Sequence, residues 1–380
     1  MKKTLLIGAS LSTAIIAGCA TQHAQQAQHT PTIHDTVPEV ALVLGGGGTR
    51  GYAHIGAIKA LEEHGIRPDL IVGTSAGAMV GALSASGKSA KELERIAMAL
   101  DETDLLDIAP SKQGLIEGKA LRDFINTQVN NKPIESLPTR FAAIATDAHT
   151  NTTVSFRQGD TGLAVQASSS IPKLFIAPRV PEIGGKKYID GGQSALLPSA
   201  AAKSMGAQFV IAVDVMSASN TQPAAKSANS QAAAGISRTD KGIKAVWGDE
   251  VIEFPINSDI IKQSTKDLPI SIDVEKLLGM IPNNTQIPLP KGFPTSLPKS
   301  KDDIMQAANT TFMQNQRHAK PADIKASDVI IAPDLSKYAV FDGSAKEEII
   351  QAGYDTTIAK IPQIKQALAE HQKLQSATKQ

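Results

Sequence analysis

Two short apolar segments, each followed directly by glycines and then by a helix-like pattern, limit the fold of this chain more than any other feature. Residues 40–44 (VALVL) precede four consecutive glycines, and residues 70–72 (LIV) precede the sequence GTSAG. Continuous apolar runs of this length are typical of strands buried on both faces of a parallel sheet. Residues 50–64 then carry apolar side chains at helical spacing. The chain is therefore predicted to alternate strands and helices, as an α/β fold with a mainly parallel sheet does.

Further apolar runs at 141–145, 209–213 and 329–332 predict more strands of the same sheet. We place the folded domain at residues 39–372 and expect a disordered tail at 373–380. Residues 217–300 interrupt the pattern, because they are rich first in Ala, Ser, Gln and Asn and then in proline. This composition predicts a loop-like insertion.

Composition excludes several classes of function. The formal net charge is +1 and aromatic residues make up only 4% of the 380 residues, so neither a basic surface nor a base-stacking platform for nucleic acid is expected. The single cysteine excludes an intramolecular disulfide framework and a cysteine-based zinc site.

The amino terminus has the pattern of a secretory signal. Residues 1–18 combine two lysines with an apolar stretch too short to span a bilayer. The sequence Ile-Ala-Gly before Cys19 resembles a bacterial lipobox, with a plain signal peptide as the alternative. The resemblance implies that Cys19 is lipidated, and Ala20 after it implies the periplasmic face of the outer membrane. Residues 19–38 are then predicted to be a flexible tether.

The glycine-rich segment from Gly46 to Gly51 lies between a predicted strand and a predicted helix. Such a turn leaves backbone N–H groups uncovered at a helix N-terminus, where they can bind an anion or a developing oxyanion. Positive φ is expected at Gly47. The spacing also fits a dinucleotide fingerprint, but that motif needs an acid at the end of the next strand, and Asp69 lies at the start of it. An oxyanion hole is the better interpretation.

The sequence Gly73-Thr74-Ser75-Ala76-Gly77 is a G-x-S-x-G motif between a strand and a helix. This context is typical of a nucleophile elbow, in which the serine hydroxyl stands clear of the backbone. The N–H of Ala76 is a further oxyanion donor. The alternative is a serine that only caps the helix.

A serine nucleophile requires a base, and the histidines are poorly placed to supply it. Only His54 is near the glycine segment, and its position in an amphipathic helix favours packing. Asp190, which follows a short strand and precedes Gly191 and Gly192, is the better candidate. Since the reference pKa of a carboxyl group is below that of imidazole, we expect this base to stay ionised to lower pH.

Three motifs in this order resemble those of the patatin-like phospholipases, which use a Ser–Asp dyad. The resemblance covers about 39–215 and 302–360. It is carried by Gly45 to Gly51, by Gly73 to Gly77 and by Asp190 to Gly192, with further similar blocks such as AVQASSSIPKLF.

The resemblance implies a three-layer α/β/α domain and assigns roles to single residues. Ser75 is the implied nucleophile, Asp190 the base, and Gly46, Gly47 and Gly48 the oxyanion hole. Arg50 either binds a lipid phosphate or braces the glycine segment. The residues that support the motifs are Gly51, Gly73, Gly77, Gly191 and Gly192.

The implied activity is hydrolysis of a carboxylic ester in a membrane phospholipid or lysophospholipid, with no metal or organic cofactor. The alternatives are an esterase or thioesterase without phospholipid preference, and a catalytically silent lipid-binding lipoprotein. Two features depart from the family. Lys173 replaces a residue that is commonly small, and the insertion at 217–300 is unusually long.

Overall fold

The computed structural model describes residues 39–107, 113–217, 234–239, 242–247, 250–255, 286–287, 309 and 318–378. The predicted signal, Cys19 and the tether lie outside these residues. Twelve strands are present within the described ranges. They are β1 Val40–Leu44, β2 Leu70–Thr74, β3 Arg140–Asp147, β4 Thr153–Phe156, β5 Arg179–Val180, β6 Lys186–Asp190, β7 Phe209–Val213, β8 Ala234–Thr239, β9 Gly242–Trp247, β10 Glu250–Pro255, β11 Gln286–Ile287 and β12 Val329–Ile331.

The helices mostly follow the strands in alternation. They are α1 Ala53–Glu63, α2 Ala76–Ala85, α3 Ala90–Ala99, α4 Lys119–Gln128, α5 Thr161–Ser168, α6 Ser199–Ser204, α7 Pro321–Ala326 and α8 Lys346–Thr378. A 3-10 turn at Gly48–Tyr52 precedes α1, so the first part of the helix predicted at 50–64 is wound more tightly than an α-helix.

The main sheet has the strand order β12-β7-β1-β2-β3-β6-β5, with β4 paired to β3. The five strands from β12 to β3 are parallel, whereas β4, β5 and β6 run antiparallel at one edge. The prediction of a mostly parallel sheet is therefore confirmed.

Alternate residues of the central strands enter two separate cores. On β1, Leu42 and Leu44 join the larger core, which also contains apolar side chains of α1 to α5 and α8. Ala41 and Val43 point to the opposite face and join a smaller core that includes Ala202 of α6. Since side chains alternate between the faces of a strand, these two cores make the sheet the middle layer of an α/β/α sandwich.

Two expectations differ from the structure. The insertion predicted to be loop-like contains a second, antiparallel sheet of order β10-β9-β8-β11, in which β9 pairs with both β8 and β10. The tail predicted to be disordered is helical as far as Thr378. No proline or glycine interrupts its last turns, and the Gln372 side chain donates to Glu39 at 3.2 Å.

The long helix α8 crosses α1 at a pair of glycines. A Cβ at Gly56 would lie 1.9 Å from the carbonyl oxygen of Ile350, and one at Gly353 would lie 2.0 Å from that of Ala53. Only glycine allows the two backbones to approach so closely at both positions. Within the described ranges, no helix is long and apolar enough to cross a membrane.

Candidate active site

The three predicted motifs meet at the carboxyl edge of the parallel strands. The glycine segment follows β1, and Ser75 follows β2. Strand β3 lies between β2 and β6, where Thr74 pairs with Ile144 and Asp190 pairs with Ala145. This register places Ser75 and Asp190 on either side of the same point of β3, which is why they approach each other although 115 positions separate them in the sequence.

Ser75 has the backbone of a nucleophile elbow. Its φ is 53° and ψ is −121°, a conformation that is rare for a residue with a side chain. The Ser75 N–H donates to Ser168 Oγ at 2.9 Å, and that hydroxyl donates in turn to the carbonyl of Ile144 at 2.6 Å. Neighbouring Thr74 donates from Oγ1 to the carbonyl of Ala195 at 2.8 Å. These contacts hold the elbow in its strained geometry.

The Asp190 carboxyl is 4% exposed and is fixed by its own loop. Its Oδ1 accepts the N–H of Gly192 at 2.6 Å, and its backbone N–H donates to the carbonyl of Ser170 at 2.8 Å. Oδ2 is buried and has no hydrogen-bond partner of standard geometry among the described residues. The Ser75 hydroxyl is nevertheless close enough to lower the pKa of this carboxyl. Catalytic hydrogen bonds are often loose before substrate binds, so Oδ2 is the acceptor available to Ser75.

Burial raises the pKa of Asp190 to about 6, against the smaller opposing effects of the Ser75 hydroxyl and the Gly192 N–H. This value approaches the reference pKa of about 6.5 for imidazole. Asp190 therefore stays ionised to a pH only slightly lower than imidazole would, because a reference value omits the cost of desolvating the carboxylate.

The glycine segment supplies fewer oxyanion donors than predicted. The N–H of Gly46 donates to the carbonyl of Leu196 at 3.0 Å, so this amide is occupied and cannot serve an oxyanion. The N–H groups of Gly47, Gly48 and Ala76 donate to no described residue. They remain the candidate oxyanion hole.

Positive φ occurs one position later than expected. Gly47 has φ 170°, which is extended backbone, whereas Gly48 has φ +56°. A side chain at Gly47 is excluded by space, since its Cβ would lie 2.4 Å from Val215 Cγ2. At Gly48 a Cβ would lie 2.2 Å from the carbonyl oxygen of Val340.

Arg50 braces the glycine segment. It is 1% exposed, and its Nε and Nη2 donate to the carbonyl of Tyr338 at 3.0 and 2.7 Å. The N–H and hydroxyl of Thr49 donate to the carbonyl of Val340 at 2.7 and 2.9 Å. A guanidinium held in this way is not presented to a lipid phosphate, which favours the bracing role of the two predicted for Arg50.

His54 forms a hydrogen bond to Gly45, the residue directly before the glycine segment. It is fully buried, and its Nε2 donates to the carbonyl of Gly45 at 2.8 Å, while Nδ1 has no partner among the described residues. Desolvation lowers the pKa of His54 to about 4, so the ring is neutral at ordinary pH. His54 therefore packs, as its helical position indicated.

The glycines predicted to support the motifs are required by close packing. A Cβ on any of them would lie within 2.8 Å of a neighbouring atom. At Gly77, for example, it would lie 2.1 Å from the carbonyl oxygen of Leu44. The others are Gly51, Gly73, Gly191 and Gly192.

An apolar pocket of about 140 Å³ opens beside Ser75. Ser75, Ala76 and Gly48 form one part of its lining. The rest is mostly apolar and comes from Met79, Val80, Leu100, Leu105, Leu106, Leu121, Ile171, Phe175 and Phe341. The size and chemistry of this pocket suit an acyl chain better than a polar substrate.

One charged group interrupts the apolar lining. Glu102 accepts a short hydrogen bond from the hydroxyl of Tyr52 and lies 3.2 Å from Nζ of Lys346. The Lys346 ammonium also lies 5.5 Å from the centre of the Tyr52 ring. Glu102 is thus neutralised by a residue of α8, and no Lys or Arg is among the described residues that line the pocket.

Sequence reasoning missed the contribution of α5 to this site. The Ser168 hydroxyl accepts the N–H of Ser75, and the Ser170 carbonyl accepts the N–H of Asp190. The sequence feature that could have indicated these contacts is the run of three serines at the end of an apolar helix. Lys173, expected to add charge near the site, is exposed, has φ 70° and does not line the pocket. No cluster of metal-ligating side chains occurs in the described part of the chain.

The sequence pattern of the family described as patatin-like phospholipase matches residues 42–202, which include the glycine segment, Ser75 and Asp190. Over residues 42–202 the chain is therefore similar to the patatin-like phospholipases. An uncharacterized NTE family protein of Mycobacterium bovis is 39% identical over 181 residues, which is 47% of this chain and 49% of that protein. Patatin-like phospholipase domain-containing protein 6 of Homo sapiens is 35% identical over 188 residues, which is 48% of this chain and 14% of that protein.

The match thus spans about half or less of the length of these relatives. Among solved structures, VipD from Legionella pneumophila aligns with a TM-score of 0.46 and 13% identity, over 88% of this chain and 67% of that chain. Assignment to the patatin-like family rests on the sequence match.

Proposed function

We propose that this chain is a lipid acyl hydrolase that cleaves a carboxylic ester through an acyl-Ser75 intermediate, with Asp190 as the base. The observation that carries the proposal is the pairing of a strained serine elbow with a buried carboxylate whose Oδ2 is free to accept a proton. Ser75 lines the apolar pocket, and both residues belong to the region that matches the patatin-like family.

Acylation follows from this geometry. At pH 7 a carboxyl with a pKa of about 6 is mostly ionised, so Asp190 Oδ2 takes the proton of Ser75 as Oγ attacks the ester carbon. The N–H groups of Gly47, Gly48 and Ala76 stabilise the oxyanion, each by about 3 kcal/mol. The tetrahedral species collapses, the bond to the leaving oxygen breaks, and Asp190 returns the proton to that oxygen. Water then repeats the sequence on the acyl-enzyme.

A dyad test separates this mechanism from its alternatives. Ser75→Ala and Asp190→Asn should each nearly abolish kcat/KM for a nitrophenyl ester, and the double variant should be little worse, because the two residues act as a unit. A folded His54→Gln variant should lose far less, and so should His149→Gln, which changes the histidine in the turn between β3 and β4. Retention of most activity by Asp190→Asn would contradict the proposal, and inactivity of the folded parent chain would favour the silent lipid-binding alternative.

An esterase without phospholipid preference is a second candidate, and the charge of the site favours it. The Arg50 guanidinium donates to the carbonyl of Tyr338, so it is not available to a phosphate. The only charged side chain lining the described pocket is Glu102, which is acidic and does not attract a phosphate. Parallel assays with phosphatidylcholine vesicles, monoacylglycerol and a nitrophenyl ester of one acyl chain decide between the two candidates. A higher kcat/KM for the phospholipid would support the phospholipase, and equal or higher values for the neutral esters would support the esterase.

We also propose that Cys19 is lipidated and anchors the protein to the periplasmic face of the outer membrane. The support is the lipobox-like sequence, and stable anchoring by acyl chains is physically sufficient without a membrane span. Metabolic labelling with a fatty-acid analogue should label the parent chain and not Cys19→Ala. An unlabelled parent chain would contradict the anchor.

Residues 217–300 are further proposed to cover the acyl groove. Their removal should reduce hydrolysis of long-chain lipids more than that of small soluble esters. Equal losses on both substrates in a folded variant would contradict this role.

A further inference from the structure

Three consecutive serines connect the end of α5 to both members of the dyad. Ser168 accepts the N–H of Ser75, and the carbonyl of Ser170 accepts the N–H of Asp190. The Ser170 hydroxyl is itself satisfied, since it donates to the carbonyl of Gln166 at 2.7 Å. The Ser168 hydroxyl and the hydroxyl and carbonyl of Ser170 therefore all have hydrogen-bond partners within the protein.

The middle residue, Ser169, is different. Its backbone N–H is satisfied by the carbonyl of Val165 at 3.0 Å, but its Oγ is buried and has no hydrogen-bond partner among the described residues. The residue is only 7% exposed and lines the same pocket as Ser75. Burying a hydroxyl without a partner is unfavourable. The preceding carbonyls of the helix are within the usual reach of a terminal serine, as Ser170 demonstrates, yet the Ser169 hydroxyl bonds to none of them.

The position of Ser169 relative to the dyad indicates which substrate atom it meets. The candidate oxyanion donors belong to the glycine segment and to α2. Ser169 directly follows the last residue of α5 and precedes Ser170, whose carbonyl accepts the N–H of Asp190. Its two chain neighbours thus contact the backbone amides of Ser75 and Asp190, and Ser169 itself lines the pocket at Ser75. The leaving oxygen of an ester must lie close to both the nucleophile and the base, because the base returns its proton there.

We infer that the Ser169 hydroxyl donates a hydrogen bond to the leaving oxygen of the ester substrate. This inference rests on the proposed function and adds a substrate-contacting residue to it. When the tetrahedral species collapses, the bond between the former ester carbon and the leaving oxygen breaks, and its electron pair moves to that oxygen. Asp190 supplies the proton that neutralises it. Ser169 keeps its own proton and stabilises the negative charge while it develops.

Leaving-group basicity provides a readout that a structural role would not change. A basic alkoxide carries more charge in the transition state and needs the hydrogen bond more than a nitrophenolate does. The experiment uses the full chain and a set of esters of one acyl group with nitrophenol, phenol and an aliphatic alcohol. It measures kcat/KM, which reports the steps up to acylation.

For Ser169→Ala, kcat/KM should fall by about 3-fold with the nitrophenyl ester and by about 30-fold or more with the alkyl ester, as expected for loss of a donor to a charged oxygen. Ser169→Thr keeps a hydroxyl and should restore most of the alkyl-ester activity. Ser170→Ala is the matched control. Its hydroxyl bonds within the helix, so any loss should be the same for every ester.

A uniform loss across the esters for Ser169→Ala, or no loss at all, would overturn the inference while leaving the dyad mechanism in place. If Ser169→Ala does not fold, Ser169→Cys carries the same test, because a thiol is a weak donor of similar size. A parent chain that hydrolyses none of the esters, nitrophenyl included, would overturn the proposed function itself.

Discussion

Replacing Asp190 by asparagine is expected to stabilise the fold while it removes activity. The site accommodates the amide, since the asparagine oxygen can still accept the Gly192 N–H and its NH2 group can face Ser75. The change removes a charge that the folded protein must otherwise bury. Active sites commonly hold groups that destabilise the native state in this way.

The magnitude follows from the pKa of Asp190, which burial raises from 3.8 to about 6. A shift of about 2 units corresponds to ~3 kcal/mol between the two protonation states. Because the folded-state pKa is the higher one, the associated stability is fully present below pH 3.8 and is lost as the pH rises through about 6. The parent chain should therefore lose up to ~3 kcal/mol between pH 4 and pH 8 from this group, and Asp190→Asn should not.

Urea unfolding followed by circular dichroism at pH 4.5 and pH 8 measures this difference as a shift in midpoint. We expect Asp190→Asn to unfold at higher urea than the parent chain at pH 8, with the gap closing at low pH. Asp147→Asn is a matched control with the opposite sign, because backbone N–H donors from His149 and Thr150 lower the pKa of Asp147. It should be destabilised at pH 8. An Asp190→Asn variant less stable than the parent chain at pH 8, or a gap independent of pH, would refute the reasoning.

Three further predictions concern the glycine segment. Gly47→Val should lower kcat by at least about 100-fold, the order seen when an oxyanion donor is lost. Gly65→Asn is the control and should keep activity, because a Cβ at Gly65 meets no atom within 4 Å and asparagine tolerates its φ of +72°. Near-normal turnover of folded Gly47→Val would show that the glycine segment is not part of the site. Arg50→Met should lower the urea midpoint and reduce turnover of phospholipid and neutral ester by the same factor, and a loss confined to phospholipid would instead assign Arg50 to the phosphate. His54→Gln, which retains a donor for the carbonyl of Gly45, should keep more stability than His54→Phe, and equal losses for both would show that the hydrogen bond contributes little.

The strands and the positions of Ser75 and Asp190 at the ends of β2 and β6 were within reach of sequence reasoning because their signals are local. The run at 40–44 coincides with β1, and the two glycines after Asp190 do form the tight loop that binds its carboxylate. In contrast, Arg50 could not be assigned from the sequence, since its partner Tyr338 lies 288 positions away. The same applies to Gly46, whose amide is taken by Leu196. Local pattern specifies a turn, but not which of its amides the folded chain will occupy.

The pKa of Asp190 was missed for a related reason. A carboxyl group in the sequence has only a reference value, and the shift arises from burial that depends on β3, β6 and α5 together. The second sheet was missed because its strands lie in a segment whose composition resembles a loop. Neither property is encoded in a window of a few residues.

The carbonyls of Tyr338 and Val340 bind the glycine segment, although almost three hundred positions of the sequence separate them from it. The helix that follows, α8, packs on α1 at the Gly56–Gly353 crossing. A polypeptide is made from its amino end at about 5–20 residues per second, and distant contacts form late. The nascent chain consequently carries its serine and glycine motifs for many seconds without the contacts that set their geometry. The proposed hydrolytic activity is thus expected to be the last property that the chain acquires, and a truncated product that lacks α8 is predicted to leave lipids intact.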